Sequence, residues 1–189
     1  MMRHIVAGLA LAAGALAASA ADFDLGRLMD LLKNQKGGKA TFQETKHIAM
    51  LDRPVETTGE LLFTPPDRLE KRSTGLNAER MVVERETVSL ERGGRKQVLT
   101  LRDNPQVAVF VESIRGTLAG DRAALEKTYR LVREGVAPNW RRVLTPRDPQ
   151  LTRVVARIAI TGAQAQVRRV EIEQADGDRS VMHVTPVGP

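Results

Sequence analysis

Residues 104–120 read NPQVAVFVESIRGTLAG. Within them Val107, Phe110, Val111, Ile114 and Leu118 recur at spacings of three and four, which is one face of a helix. Asn104 suits the N-cap, Pro105 the first helical position and Gly120 the stop. The runs on either side alternate like strands. An apolar helix amid so much strand must lie on a sheet, as a permanent plug in its core or as a lid over an apolar pocket.

Working back from that helix, residues 95–101 and 87–92 read as two strands joined by Gly93-Gly94, a two-residue hairpin signal. Residues 78–84 form a strand around Met81, Val82 and Val83. Residues 69–74 form a short polar strand, expected at an exposed place. Residues 55–63 alternate through Val55, Thr57, Gly59, Leu61 and Phe63. Residues 39–51 place Ala40, Phe42, Ile48 and Met50 on one parity, interrupted by Glu44 and Lys46. Asp52-Arg53-Pro54 and Pro65-Pro66-Asp67 are turns. Residues 22–36 form a first helix with a leucine stripe that packs on the sheet, ended by Gly37-Gly38.

Forward of the helix, Asp121 caps a short turn holding Ala123, Ala124 and Leu125. Strands follow at 129–136, 140–145, 154–161, 166–174 and 179–185, with Pro138-Asn139 a break, 146–149 a loop and Asp176-Gly177 a hairpin turn. Trp140, Arg142 and Leu144 share one side. There is no βαβ alternation, so the sheet is antiparallel. Sequential strands pair with their neighbours, which makes a single curved sheet the economical topology. The expected fold is mainly β with helices (α+β), the helices lying on the concave side.

The chain has 189 residues and no cysteine, which excludes disulfides and thiolate metal sites. Aromatic residues make up only 3%, so an apolar pocket would have mostly aliphatic walls. Residues 1–20 read as a cleavable export signal: Arg3, an apolar run over 5–18, and Ala18-Ser19-Ala20 as the cleavage site. The run is short for a membrane span, which needs about 20 residues. Residues 21–189 then form one domain, exported to a periplasm. Cleavage takes the formal charge from +6 to +5. The basic residues interleave with acids, as on a solvated mixed face. With few aromatics and an export signal, nucleic acid is not the expected partner, while anionic membranes and acidic partners stay open.

Catalytic patterns are scarce. His4 lies in the signal, and His47 and His183 each stand alone on strands without metal-ligand spacing. No serine sits in a nucleophile elbow, and there is no phosphate loop or dinucleotide fingerprint. The expectation is a binding protein, not an enzyme, with no cofactor and no metal.

Lys39-Ala40-Thr41-Phe42-Gln43-Glu44 resembles the small-x-Phe-x-Gln opening strand of the LolA family of periplasmic lipoprotein carriers. Thr58-Gly59-Glu60-Leu61-Leu62-Phe63 resembles its Gly-x-Leu return strand, and Pro65-Pro66-Asp67-Arg68-Leu69 its Pro-rich turn. The order of signal, first helix, mid-chain helix and closing strands also matches. The resemblance implies an incomplete β-barrel covered by helices. It also implies a monomeric carrier that takes lipoprotein acyl chains, or another lipid, from an inner-membrane exporter to an outer-membrane acceptor. Two departures mark a divergent branch. Thr64-Pro65-Pro66 lacks the family's Arg before the proline, which helps hold the lid closed. Asn77-Ala78-Glu79-Arg80-Met81-Val82 replaces its Ser-Asp-Gly-x-x-(aromatic) run.

On this reading Phe42, Ile48, Leu61, Phe63, Met81, Val83, Val88, Leu90, Val98 and Leu101 are candidate walls of the cavity. Val107, Phe110, Val111, Ile114 and Leu118 are the lid face. The same positions would serve equally as dry core. A sensor or scaffold module binding a protein partner is the alternative function.

Overall fold

The computed structural model describes residues 25–75, 78–134 and 139–188. The expected signal over 1–20, the turn residues Leu76 and Asn77 and the break at Pro138 lie outside the described residues. The elements in chain order are α1 (Leu25–Lys33), β1 (Gly38–His47), β2 (Val55–Thr64), β3 (Arg68–Ser73), β4 (Glu79–Glu84), β5 (Thr87–Arg92), β6 (Arg95–Thr100), α2 (Pro105–Leu118), α3 (Arg122–Thr128), β7 (Tyr129–Glu134), β8 (Asn139–Pro146), α4 (Pro149–Thr152), β9 (Val155–Ala163), β10 (Gln166–Gln174) and β11 (Arg179–Val187).

The eleven strands among the described residues lie in one antiparallel sheet, ordered β6-β5-β4-β3-β2-β1-β11-β10-β9-β8-β7. Two meanders, β1 to β6 and β7 to β11, are welded in the middle by β1 pairing with β11. The edges β6 and β7 do not pair with each other, so the sheet is not closed. The chain crosses from one edge to the other through α2 and α3.

The sheet must curl. β4 and β7 stand eight strand spacings apart, about 38 Å if flat. Yet the Tyr129 hydroxyl of β7 donates to the carbonyl of Val109 in α2. Two residues on, Val111 packs with Val83 of β4 and Val88 of β5. A helix with its side chains is only about 10–12 Å across, so both ends of the sheet come round to it.

Local sequence explains the turns. Gly93 and Gly94 take φ of 56° and 74°, the left-handed pair that a two-residue hairpin needs. Arg85 holds φ 51° in the β4–β5 turn, unusual for a residue with a side chain. Two other glycines make room for aromatics across the strand. A Cβ on Gly59 would fall 1.9 Å from the Arg72 carbonyl oxygen and 2.9 Å from the Phe42 ring, and one on Gly162 would fall 2.2 Å from Trp140.

The register differs from expectation in three places. β3 is an interior strand between β2 and β4, not an exposed one, and its Glu70 is buried. The expected turn after Asp121 is the helix α3, with the Asp121 carboxylate accepting from the Ala124 N–H at 2.9 Å. The expected loop over 146–149 runs into α4. Among the described residues no helix is long and apolar enough to cross a membrane.

Candidate functional site

The inner face carries two separate apolar clusters. The larger joins α1, α3 and β7–β10 through Leu28, Leu32, Leu125, Trp140, Ile158 and Ile160, among others. The smaller is Val83, Val88, Leu101 and Val111, with Leu69, Met81, Val107 and Ala108 packed on it. Helix α2 sits between them. Val109 is a member of the first cluster, with Phe110 and Ile114 against it, while Val107 and Val111 belong to the second.

The helix is therefore wedged, not laid on one face. Its most buried residues include Val109, Ser113, Gly116 and Thr117, small side chains at spacings of three and four. A Cβ on Gly116 would meet Leu125 at 2.8 Å, so this face lets α3 approach closely. The hydroxyls of Ser113 and Thr117 donate to the carbonyls of Phe110 and Ser113, both at 2.7 Å, and so need no partner elsewhere. Asn104 precedes the helix but does not cap it, and its side-chain amide donates to the Thr100 carbonyl at 2.8 Å.

Two directed bonds tie α2 to the sheet. One is the Tyr129 hydroxyl on the Val109 carbonyl. Burial pushes the Tyr129 phenol above its ordinary value, with the Glu112 charge adding to it. The other is Arg115, whose Nη1 donates to the carbonyl of the left-handed Arg85 at 2.6 Å while Nη2 holds Glu112 at 3.0 Å. The arginine on the helix thus ties it to the β4–β5 turn.

Between the clusters, the inner face holds the buried Phe42 and Phe63 and, beside Phe42, a polar group. Glu44 points inward from β1 and is 6% exposed. Lys71 Nζ donates to it at 2.5 Å and Ser180 Oγ at 2.7 Å. Lys71 also lies 4.9 Å over the Phe42 ring, a cation–π contact. Burial raises the Glu44 carboxyl, but the Lys71 charge and hydrogen bond outweigh it and hold the group below its ordinary value.

Arg142, between Trp140 and Leu144 on β8, is fully buried. Its Nη2 donates to the Met29 sulfur at 2.9 Å, and Nε and Nη1 have no partner among the described residues. Burial, reinforced by the nearby Arg122 charge and partly offset by Glu126, lowers its pKa to about 10.

The outer face has its own network around Glu70. Arg72, Arg80 and Arg68 donate to it at 2.5, 2.8 and 3.0 Å. The Arg80 bond leads in lowering its pKa to about 2.

The expected wall residues separate into groups. Phe42, Leu61, Phe63, Met81, Val83, Val88 and Leu90 share the inner parity of the register. Val98 does not: it pairs with Ser89 and is 58% exposed on the outer side of edge strand β6. Ile48 lies past the end of β1 in the β1–β2 loop, and Leu101 follows β6 in a buried turn. The lid residues are shared between the two clusters, with Leu118 half-buried near the helix end. Sequence reasoning missed Val109, Glu44, Lys71 and Arg142 as inner-face residues of consequence. The interruption of β1 by Glu44, and Arg142 on the parity of Trp140 and Leu144, were the available signals. Among the described residues no group of His, Asp or Glu could hold a metal.

A family described as outer membrane lipoprotein carrier protein LolA-like matches residues 17–185. No curated protein matches the chain significantly. Similar solved structures include a LolA superfamily protein from Nitrosomonas europaea, 12% identical with TM-score 0.46, covering 85% of this chain and 90% of that one. LprF from Mycobacterium bovis is 13% identical with TM-score 0.37, covering 87% and 93%. A putative outer membrane lipoprotein-sorting protein domain from Vibrio parahaemolyticus is 8% identical with TM-score 0.43, covering 86% and 89%.

Proposed function

Since the chain belongs to the LolA-like family of outer membrane lipoprotein carrier proteins, we propose that it carries acyl chains, of lipoproteins or of another lipid, through the periplasm between a donor and an acceptor membrane. The observation that supports this reading most is the wedged position of α2. The two halves of the inner face meet through a helix rather than through each other. Moving the helix out would join their apolar surfaces into one groove lined by Val83, Val88, Leu131 and Ile160.

The energetics suit a carrier. Each methylene of an acyl chain gains about 0.8 kcal/mol on leaving water, so a groove of aliphatic side chains holds a chain without any polar anchor. Val107, Phe110 and Val111 hold the helix by the same non-directional force. An acyl chain therefore competes with the helix for the same walls. Among the described residues, the Arg115 and Tyr129 bonds resist on directional grounds.

The test is binding of a fluorescent fatty-acyl probe to the purified protein. Phe110→Glu weakens binding, with the fold intact by circular dichroism. Arg115→Met removes a charge-assisted bond worth about 1.5–3 kcal/mol, so it speeds probe entry and raises hydrogen exchange in α2. Absence of binding to any acyl probe or lipidated protein would sink the proposal. Recovery of a protein partner with no lipid would favour the sensor reading instead.

A further inference from the structure

We propose that one end of the sheet is a docking surface for anionic phospholipid membranes, an inference that stands apart from acyl-chain carriage. The β1–β2, β3–β4 and β5–β6 turns all lie at this end, because alternate turns of a meander do. The β1–β2 ladder runs on past the ends of the β3–β4 and β5–β6 ladders. Its last pair is Lys46 with Val55, four residues beyond Gly59, which pairs with Ser73 at the end of β3. Four residues of strand are about 13 Å.

The tip of that hairpin is apolar. Ile48-Ala49-Met50-Leu51 is an unbroken apolar run. Met50 is 94% exposed and Leu51 51%. The loop is held in place by the turn bond from Leu51 N–H to the Ile48 carbonyl at 2.9 Å and by Ala49 N–H donating to Asp178 at 2.8 Å. An ordered tip that keeps large apolar side chains in water is not explained by packing.

Beside it, the next two hairpins enclose an open pocket of about 430 Å³. Five basic side chains line it, Arg72, Arg80, Arg92, Arg95 and Lys96, with Glu79 and Glu91 as the only acids. Glu70 beneath takes up part of the Arg72 and Arg80 charge. Glu91 lies 3.7 Å from both Arg80 and Lys96. Basic groups still outnumber carboxylates, and Arg95 and Lys96 lie on the exposed edge strand β6. The neighbouring β10–β11 turn adds two carboxylates beside the tip, Asp178, which accepts from Ala49 N–H, and Asp176, which accepts from Asp178 N–H, so the cationic attraction comes from the pocket and not from this turn.

An apolar tip projecting beyond a cationic pocket matches the depth profile of a bilayer with negative headgroups: side chains at the acyl boundary, cations at the phosphates. An acidic protein would satisfy the pocket but gives no reason for Met50 to project past it. The pocket supplies attraction that falls with salt, and the tip supplies attraction that does not.

Co-sedimentation of the full chain with phosphatidylcholine vesicles, with and without phosphatidylglycerol, tests this. The protein should bind the phosphatidylglycerol vesicles at low salt and weaken as salt rises. The pair Arg95→Gln and Lys96→Gln should weaken that binding about 10- to 30-fold, at about 1 kcal/mol per cation near the surface. The pair Met50→Ser and Leu51→Ser should weaken it about tenfold, with the loss persisting at high salt. Phe110→Glu should leave it unchanged, so failure of acyl carriage and failure of docking are separately visible. Trp140 fluorescence reports that each variant is folded. No binding to phosphatidylglycerol vesicles, binding indifferent to both pairs, or loss of binding only with Phe110→Glu overturns the proposal. So does capture by an acidic protein without vesicle binding.

Discussion

Replacing Arg142 with methionine should make this protein more stable. The guanidinium is fully buried and, among the described residues, bonded only through Nη2 to the Met29 sulfur, with Nε and Nη1 unpartnered. An unsatisfied buried donor costs about 1–3 kcal/mol. The same burial depresses its pKa from 12.5 to about 10, which corresponds to about 3 kcal/mol against the charged form, at about 1.4 kcal/mol per unit. Methionine has nearly the length of the arginine stem, no donors, and a flexible thioether that would pack against Met29 and Trp140. Exchange of buried ionic groups for apolar ones of similar size gains about 1–4 kcal/mol in favourable cases, and about 2 kcal/mol is the expectation here. At about 2–4 °C per kcal/mol for a chain of this size, the melting midpoint should rise by about 4–8 °C. Urea unfolding followed by Trp140 fluorescence reads the difference directly. The pH dependence has a definite sign. Below about pH 10 both folded and unfolded wild type hold the proton, so the full penalty applies. Above it the folded state sheds the proton while the unfolded state keeps it up to its ordinary value. The gap between variant and wild type should therefore shrink as pH climbs through 10. A loss of more than about 1 kcal/mol in Arg142→Met at neutral pH, judged against the unit values above, would refute the reasoning. It would mean that the guanidinium is compensated after all.

Gly59→Ala should destabilise by about 2–3 kcal/mol, at the upper end of overpacking costs, because its Cβ would strike the Arg72 backbone and the Phe42 ring. Thermal melting checks it, and Phe42→Leu in the same background should recover little, since the backbone clash remains. Lys71→Met should leave Glu44 buried without its main cation, costing about 3 kcal/mol at pH 7. In the wild type the lowered Glu44 carboxyl contributes stability that is present above its unfolded value and lost as pH falls through the folded one. In the variant burial dominates and raises the group, so the deficit should grow between pH 4 and pH 7 and nearly vanish at the acid end. Equal deficits in urea at both pH values would refute the pairing.

Much of the sheet was legible because hairpins advertise themselves. Gly93-Gly94 and Asp176-Gly177 fixed two turns, and β10 runs over the residues its alternation marks. What failed to show had physical reasons. Val98 was misplaced because all six residues of β6 are exposed, so an apolar side chain there carries no sign of facing inward. The burial of Ser113 and Gly116 was hidden because hydropathy weighs large apolar residues, and that of Val109 because it lies off the face of Val107, Phe110 and Ile114 on a helix held from two sides. Glu44 and Lys71 meet across the β2 strand, 27 positions apart in sequence. Nothing in either strand alone announces the pair.

The weld between β1 and β11 fixes when the sheet can be finished. β1 ends near residue 47 and its second neighbour begins at residue 179. During synthesis and early folding β1 is an edge strand, offering a row of unpaired amides to any other chain. It becomes interior only when the last of the described strands arrives. Contacts so distant in sequence close late, so the protein passes through a prolonged interval with an open edge. Lys39, Glu44 and Lys46 on that strand then act as gatekeepers against mispairing before they are structural groups at all. The residue that later anchors the centre of the inner face first serves to keep it from sticking.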